Sequence, residues 1–190
     1  MTRQDHDRLA EMICELLAKN LRVIVAIDGR CGSGKTTLAA ELQREFSCAV
    51  FHMDDFVLRP EQRTQERLSR PGENVDHERF LQEVLRPVRQ GDEVAFRPYV
   101  CARQALGETV HIAPNRLTVV EGSYACHPAL WDYYDLRVFL TVDPREQMRR
   151  IEERSGAERA EQFRCRWIPL EEVYFAACSV PQRCDLCING

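Results

Sequence analysis

Arg22-Val23-Ile24-Val25-Ala26-Ile27-Asp28-Gly29-Arg30-Cys31-Gly32-Ser33-Gly34-Lys35-Thr36 is the stretch that decides the fold. Its first part is a short β-branched run with no helical period, the pattern of a strand buried on both faces in a parallel sheet. From Gly29 to Thr36 it matches the phosphate-binding pattern G-x-x-x-x-G-K-[ST] in full. Beyond it, Leu38, Leu42 and Phe46 recur at four-residue spacing, as on the buried face of a helix. Strand, glycine-rich turn and helix together are the context in which that pattern cradles a nucleotide. Gly29, Gly32 and Gly34 let the backbone wrap around phosphate, and the backbone through Cys31, Ser33, Lys35, Thr36 and Thr37 supplies N–H groups at a helix start. The Thr36 hydroxyl suits Mg²⁺. Lys35 is one of only two lysines, the other being Lys19, in a chain that otherwise uses arginine. Its compact ammonium on a flexible stem suits a reach to the β- and γ-phosphates.

Composition narrows the class. A chain of 190 residues is most simply one domain with a real core. Net charge is −4 and no basic run occurs, which argues against nucleic acid as a main partner. The longest aliphatic run, Val23 to Ile27, is too short to span a bilayer, so no membrane partner is expected. The polar N-terminal stretch lacks a signal-peptide layout, making a cytoplasmic location the default expectation. Nine cysteines then read as reduced thiols, mostly small core hydrophobes. Cys184-x-x-Cys187 has no second ligand pair at metal spacing. Cys31 lies inside the loop, so a thiol reagent there is expected to block nucleotide binding.

Leu9, Met12, Ile13, Leu16 and Leu17 predict an amphipathic helix before the first strand. Cys48 to His52, Leu117 to Val120, Leu136 to Val142 and Asp185 to Ile188 read as further strands. Between them, Phe80, Leu81, Val84, Leu85 and Val88 form a helical stripe closed by Gly91. Glu93 to Val100 and Glu108 to Ile112 suggest a hairpin-like insertion, and Leu170, Val173, Tyr174 and Ala177 a last helix. The alternation implies a three-layer α/β/α domain with a mostly parallel sheet of about five strands. Ligands of such sheets sit beyond the carboxyl ends of the strands. Those ends carry the phosphate loop, then Asp54 and Asp55, then Glu121. Strand-end carboxylates beside a phosphate loop suit a metal-dependent phosphoryl transferase, one as base and one orienting Mg²⁺.

The chain resembles the uridine kinase group of P-loop nucleoside kinases, relatives of nicotinamide riboside kinase, phosphoribulokinase and the bacterial pantothenate kinases. The resemblance runs from about Val23 to Arg154 and rests on a set of motifs in family order: Ile27-Asp28-Gly29 with its loop, Met53-Asp54-Asp55-Phe56, Asn74-Val75-Asp76-His77, Pro98-Tyr99, Val120-Glu121-Gly122, and the arginine-rich helix after Asp143-Pro144. It implies ATP and Mg²⁺ as cofactors and Asp54 as general base toward a sugar 5′-hydroxyl. It implies Asp76 on the ribose hydroxyls, Tyr99 beside the nucleoside and Glu121 near the metal with Thr36. A helical lid over 144–166 would bring Arg145, Arg149, Arg150 and Arg154 to the transferring phosphate, Arg149 or Arg150 foremost, and 57–112 would be the acceptor-binding insertion. The interleaved glutamates of that helix equally describe a solvated, salt-bridged face. Asp76 equally reads as a helix N-cap, Tyr99 as packing, and His77 as a first-turn surface residue. The histidine that follows the tyrosine in uridine kinases has no counterpart; Arg103 is the nearest polar residue. Phe163 to Glu172 matches nothing in the better-known members.

The expected function is an ATP- and Mg²⁺-dependent kinase acting on a hydroxyl of a nucleoside-like small molecule, with uridine or cytidine first. Nicotinamide riboside, pantothenate or a sugar phosphate are alternative acceptors, and a regulatory ATPase is the alternative class. A GTPase is excluded, because two lysines leave no [NT]-K-x-D guanine motif. A homo-oligomer is left open.

Overall fold

The computed structural model describes residues 1–190. From the N-terminus the chain forms α1 (Arg3–Lys19), β1 (Val23–Gly29), α2 (Lys35–Phe46) and β2 (Ala49–His52). An excursion follows with α3 (Gln65–Leu68), α4 (His77–Phe80) and α5 (Arg86–Gln90). It continues in four short strands, β3 (Val94–Phe96), β4 (Tyr99–Val100), β5 (Ala105–Leu106) and β6 (Val110–Ile112). The chain returns through β7 (Leu117–Glu121) and β8 (Leu136–Thr141). Then come α6 (Pro144–Ser155), α7 (Ala157–Gln162), α8 (Ile168–Cys178), α9 (Val180–Arg183) and the closing strand β9 (Leu186–Asn189).

The main sheet has five strands in the order β2-β7-β1-β8-β9, and every pairing is parallel. Pleating sends alternate residues of β1 to opposite faces. Ile24 and Ala26 join a cluster with Phe51, Val120 and Phe139, while Val23, Val25 and Ile27 join another with Leu9 and Ile13 of α1 and Leu38 and Leu42 of α2. Both faces are therefore covered, which is why the strand reads as a continuous apolar run. The excursion carries two small antiparallel sheets, β3 with β6 and β4 with β5, in place of one hairpin.

Two helical stretches contain a π-helical turn, Leu81–Leu85 before α5 and Phe163–Trp167 before α8. Each precedes a proline in the first turn of the next helix, Pro87 or Pro169. A proline has no N–H to give the carbonyl four residues back, and the wider turn absorbs that missing donor. All nine cysteines are free. Only Cys31, Cys48 and Cys126 are buried, so the expectation of mostly core thiols is corrected. Cys14 and Cys165 lie on solvent-facing helical surface.

Candidate active site

The loop after β1 is set by close backbone approach. Gly29 has φ 138°, and a Cβ there would lie 2.0 Å from the Leu140 carbonyl oxygen of β8. Gly32 and Gly34, with φ 75° and 96°, turn the chain into α2. Lys35 is buried, and its Nζ donates to the carbonyls of Gly29 (2.7 Å) and Arg30 (2.9 Å). Cys31, Gly32, Gly34, Lys35, Thr36 and Thr37 line a cleft of about 520 Å³. Gly29 and Ser33 do not line it; Gly29 packs on β8 and Ser33 is buried beneath the loop. The Cys31 thiol is buried and pushed up to about 12, first by burial and then by Glu171, so little thiolate forms there for a reagent to attack.

The carboxylates meet where β2 and β7 end. Register pairs His52 with Glu121, and Gly122 (φ 133°) lets the turn after β7 close on Met53, 2.9 Å from its Cβ to the place a Gly122 Cβ would take. Glu121 is buried; it accepts from the Thr36 hydroxyl at 3.2 Å and sits 2.6 Å from His52 Nδ1. That hydrogen bond raises the His52 pKa. Asp54 opens into the cleft with Lys35, Thr36 and Glu121. Solvent reaches it through the mouth, yet protein surrounds it on the other sides. Desolvation and then the Glu121 charge push its carboxyl up from the ordinary value. Asp55 is likewise raised by burial and lies outside the cleft lining. His52 escaped the sequence reading because only the strand register puts it beside Glu121.

The arginines divide by helix face. Arg150 lines the cleft and donates to the Gly32 carbonyl at 3.2 Å and to Glu146 at 2.7 Å. Arg154 and Arg159, from α6 and α7, also line it and have no carboxylate partner. Arg149 is corrected: it is exposed, clamped between Glu146 and Glu153, and faces away from the cleft. The salt-bridged face and the cleft face of α6 are both real, one turn-angle apart.

Three acceptor-side expectations are also corrected. Asp76 is buried, caps α4 by accepting from the Arg79 N–H at 3.2 Å, and does not line the cleft. Tyr99 is buried, its hydroxyl 3.1 Å from Arg63 Nη2 beneath that guanidinium, and it too is absent from the lining. Arg103 is exposed in the turn between β4 and β5, away from the cleft. The excursion instead contributes Val57, Asn74, Val75 and Cys101. His77 is buried rather than surface-lying, stacked on His127 with ring centroids 4.0 Å apart.

Glu73, His77 and His127 bring three ligand-type atoms within 4.8 Å of one another. Parallel rings, 14° apart, keep their nitrogens in separate planes, so one ion cannot lie in the plane of both. His127 Nδ1 accepts from the Ala129 N–H (3.2 Å), which leaves the ring proton on Nε2, the atom a metal would need. Burial and the neighbouring His77 push His127 down to about 3, so it is a neutral packing group. Thr36 and Glu121, whose oxygens meet at 3.2 Å on the cleft wall, are the oxygen pair that could hold a hard, oxygen-seeking cation such as Mg²⁺.

Residues 25–168 match the family described as AAA domain. The chain belongs to that family. Its fold is that of the P-loop kinases among solved structures. A possible uridine kinase from Bacillus stearothermophilus superposes with a TM-score of 0.73 at 21% identity, covering 98% of each chain. A candidate fructose transport system kinase from Silicibacter gives 0.69 at 20% identity over 99% of each. D-glycerate 3-kinase from Cryptococcus neoformans gives 0.59 at 16%, covering 88% of this chain and 87% of that one. The three proteins share the fold while their names point to different acceptors. No helix is long and apolar enough to cross a membrane.

Proposed function

We propose that the chain is an ATP- and Mg²⁺-dependent kinase that transfers the γ-phosphate to a hydroxyl of a nucleoside-like acceptor, the 5′-hydroxyl of uridine or cytidine first. The deciding feature is Asp54, whose carboxylate opens into the same cleft as Lys35 and Thr36. An ATPase would turn such a carboxylate on water; an acceptor hydroxyl is favoured because the excursion residues Val57, Asn74 and Val75 line the same cleft and leave room there for a second substrate. Asp54 takes the proton of the attacking hydroxyl, and its raised pKa brings it toward the operating range of a base.

The rest of the cleft fits that role. Lys35 exchanges its two carbonyl contacts for phosphate oxygens when nucleotide enters. Arg154 and Arg159, free of carboxylate partners, supply charge to the transferring phosphoryl group, with Arg150 beside the loop. Residues 144–166 act as the lid, hinged at Gly156 (φ 80°), and 57–112 as the acceptor-binding insertion. Thr36 and Glu121 would hold Mg²⁺, with Glu121 steadied by His52. When bound, Mg²⁺ neutralises charge on the β- and γ-phosphate oxygens.

Incubation with ATP, Mg²⁺ and a nucleoside panel tests the reading through ADP release. Release that rises with one acceptor supports it; equal release with and without acceptors turns the reading to an ATPase. Asp54→Asn should lower transfer by roughly 10²- to 10⁴-fold while the Kd for ATP stays within about two-fold. Near-normal turnover in that variant removes Asp54 from the base role.

A further inference from the structure

Four further polar residues line the cleft: Asn74 from the excursion, Ser123 and Tyr124 from the turn after β7, and Glu171 from α8, which also braces the phosphate loop. Tyr124 is 8% exposed, and its hydroxyl makes no well-formed hydrogen bond; the Asn74 side chain is close enough for a weak one and forms part of the same polar group. Buried hydroxyls are normally paired, so one lining a cleft without a well-formed bond points to a ligand. Its backbone is unusual too. Tyr124 has φ 69°, a left-handed conformation that a bulky side chain rarely adopts and that clusters at functional sites. Burial and the nearby Glu171 and Asp28 carboxylates raise the phenol well above its ordinary pKa, so it keeps its proton and can donate.

Glu171 is the complement. It is 4% exposed; Oε2 accepts from the Cys31 N–H at 3.0 Å and Oε1 from the Ser123 hydroxyl. The Cys31 thiol also lies against it, and the carboxylate still has a lone pair for one further donor. The pair therefore offers one donor and one acceptor within a single cleft. A group that both accepts and donates satisfies it, and a hydroxyl does so. A phosphate or carboxylate would meet the Glu171 charge with little solvent to screen it, and an ammonium would leave the Tyr124 proton unmatched.

We propose that Asn74, Tyr124 and Glu171 form the acceptor-specificity subsite, and that it takes an uncharged, hydroxyl-rich group such as the diol of a sugar ring. The proposal rests on the kinase reading above and moves acceptor recognition away from Asp76 and Tyr99. Arg150, Arg154 and Arg159, which come from α6 and α7, remain with the donor phosphates.

The test is calorimetric titration of the whole chain, loaded with Mg²⁺ and a non-hydrolysable ATP analogue. One panel holds neutral acceptors (uridine, cytidine, free ribose) and the other anionic ones (glycerate, pantothenate, ribose 5-phosphate). Wild type should bind a neutral acceptor in preference to every anionic one. Tyr124→Phe and Glu171→Gln should each weaken that binding by about ten-fold or more, and Tyr124→Phe, which touches no part of the phosphate loop, should leave the affinity for the ATP analogue unchanged within about two-fold. Tyr124→Phe should also keep or raise Tm, since the hydroxyl it removes makes no well-formed hydrogen bond in the empty cleft. Unchanged acceptor affinity in Tyr124→Phe overturns the subsite. So does tighter binding of an anionic acceptor, or no binding from either panel. Neutral-acceptor binding that obeys these rules with no acceptor-dependent ADP release would instead sink the kinase reading and leave the subsite standing.

Discussion

Gly29 and Cys31 sit two residues apart, and their sequence context alone does not separate their roles. Gly29 is indispensable for packing: its φ of 138° excludes other residues, and any Cβ would overlap the Leu140 carbonyl. Gly34 has φ 96° but nothing within 4 Å of an added Cβ. Gly29→Ala should therefore cost on the order of 3–5 kcal/mol, and Gly34→Ala roughly 1–2 kcal/mol. Urea denaturation of both variants checks this, and equal losses would refute the clash. For Cys31 the prediction concerns reactivity. A buried thiol held near 12 carries almost no thiolate at neutral pH, whereas Cys14, Cys101, Cys165 and Cys187 are exposed. Brief alkylation at pH 7 followed by peptide mapping should label the exposed four well before Cys31. Early labelling of Cys31 would mean that the loop opens far more than its packing allows.

At the scale of elements, α6 presents two arginine faces, and only one can serve the cleft. Arg154→Ala should lower kcat on the order of a hundred-fold. Arg149→Ala should leave it within about two-fold, because an exposed ion pair contributes little. Steady-state kinetics of the two variants decides, and a reversed order would mean that the helix rotates on closing. The same helix marks the limit of the sequence. The strand and helix stripes from Leu9 to Leu140 were legible because each buries apolar residues at a regular period. The phosphate loop, Asp54 and Glu121 were legible because they follow strands. Arg149 and Arg150 are neighbours in sequence, and nothing in their spacing says which points inward. In α8 the expected stripe included Val173, yet Val173 is 54% exposed and the buried face is Glu171, Tyr174 and Phe175. A hydrophobic pattern cannot register a buried carboxylate, since its partners, Cys31 and Ser123, lie far along the chain. Asp76 and Tyr99 failed for the opposite reason. Their motifs were present, but neither side chain lines the cleft: Asp76 caps α4 through Oδ1 with Oδ2 turned toward Arg79, and the Tyr99 hydroxyl packs against Arg63.

Across the whole molecule, Asp28 joins parts that touch nowhere else in sequence. Fully buried at the end of β1, it accepts from the Gly29 N–H (2.7 Å), the Cys126 N–H (2.8 Å) after β7, and the Tyr174 hydroxyl (2.9 Å) on α8. Three donors favour the ionised carboxylate, but complete burial outweighs them and lifts its pKa from 3.8 to about 6. A folded pKa above the unfolded one means that the folded state holds the proton more tightly. The associated stability is fully present below about pH 3.8 and is lost as pH rises through about 6. The difference corresponds to roughly 3 kcal/mol. Asp28→Asn cannot titrate, so its stability should lack this component whatever its absolute value. The measurement is chemical denaturation of both proteins at intervals between pH 4 and 7. Wild type should lose stability relative to Asp28→Asn across that window, most steeply near pH 5, midway between the two pKa values. Parallel curves for the two proteins would mean that Asp28 is already ionised in the folded state at pH 4, with its three hydrogen bonds outweighing burial.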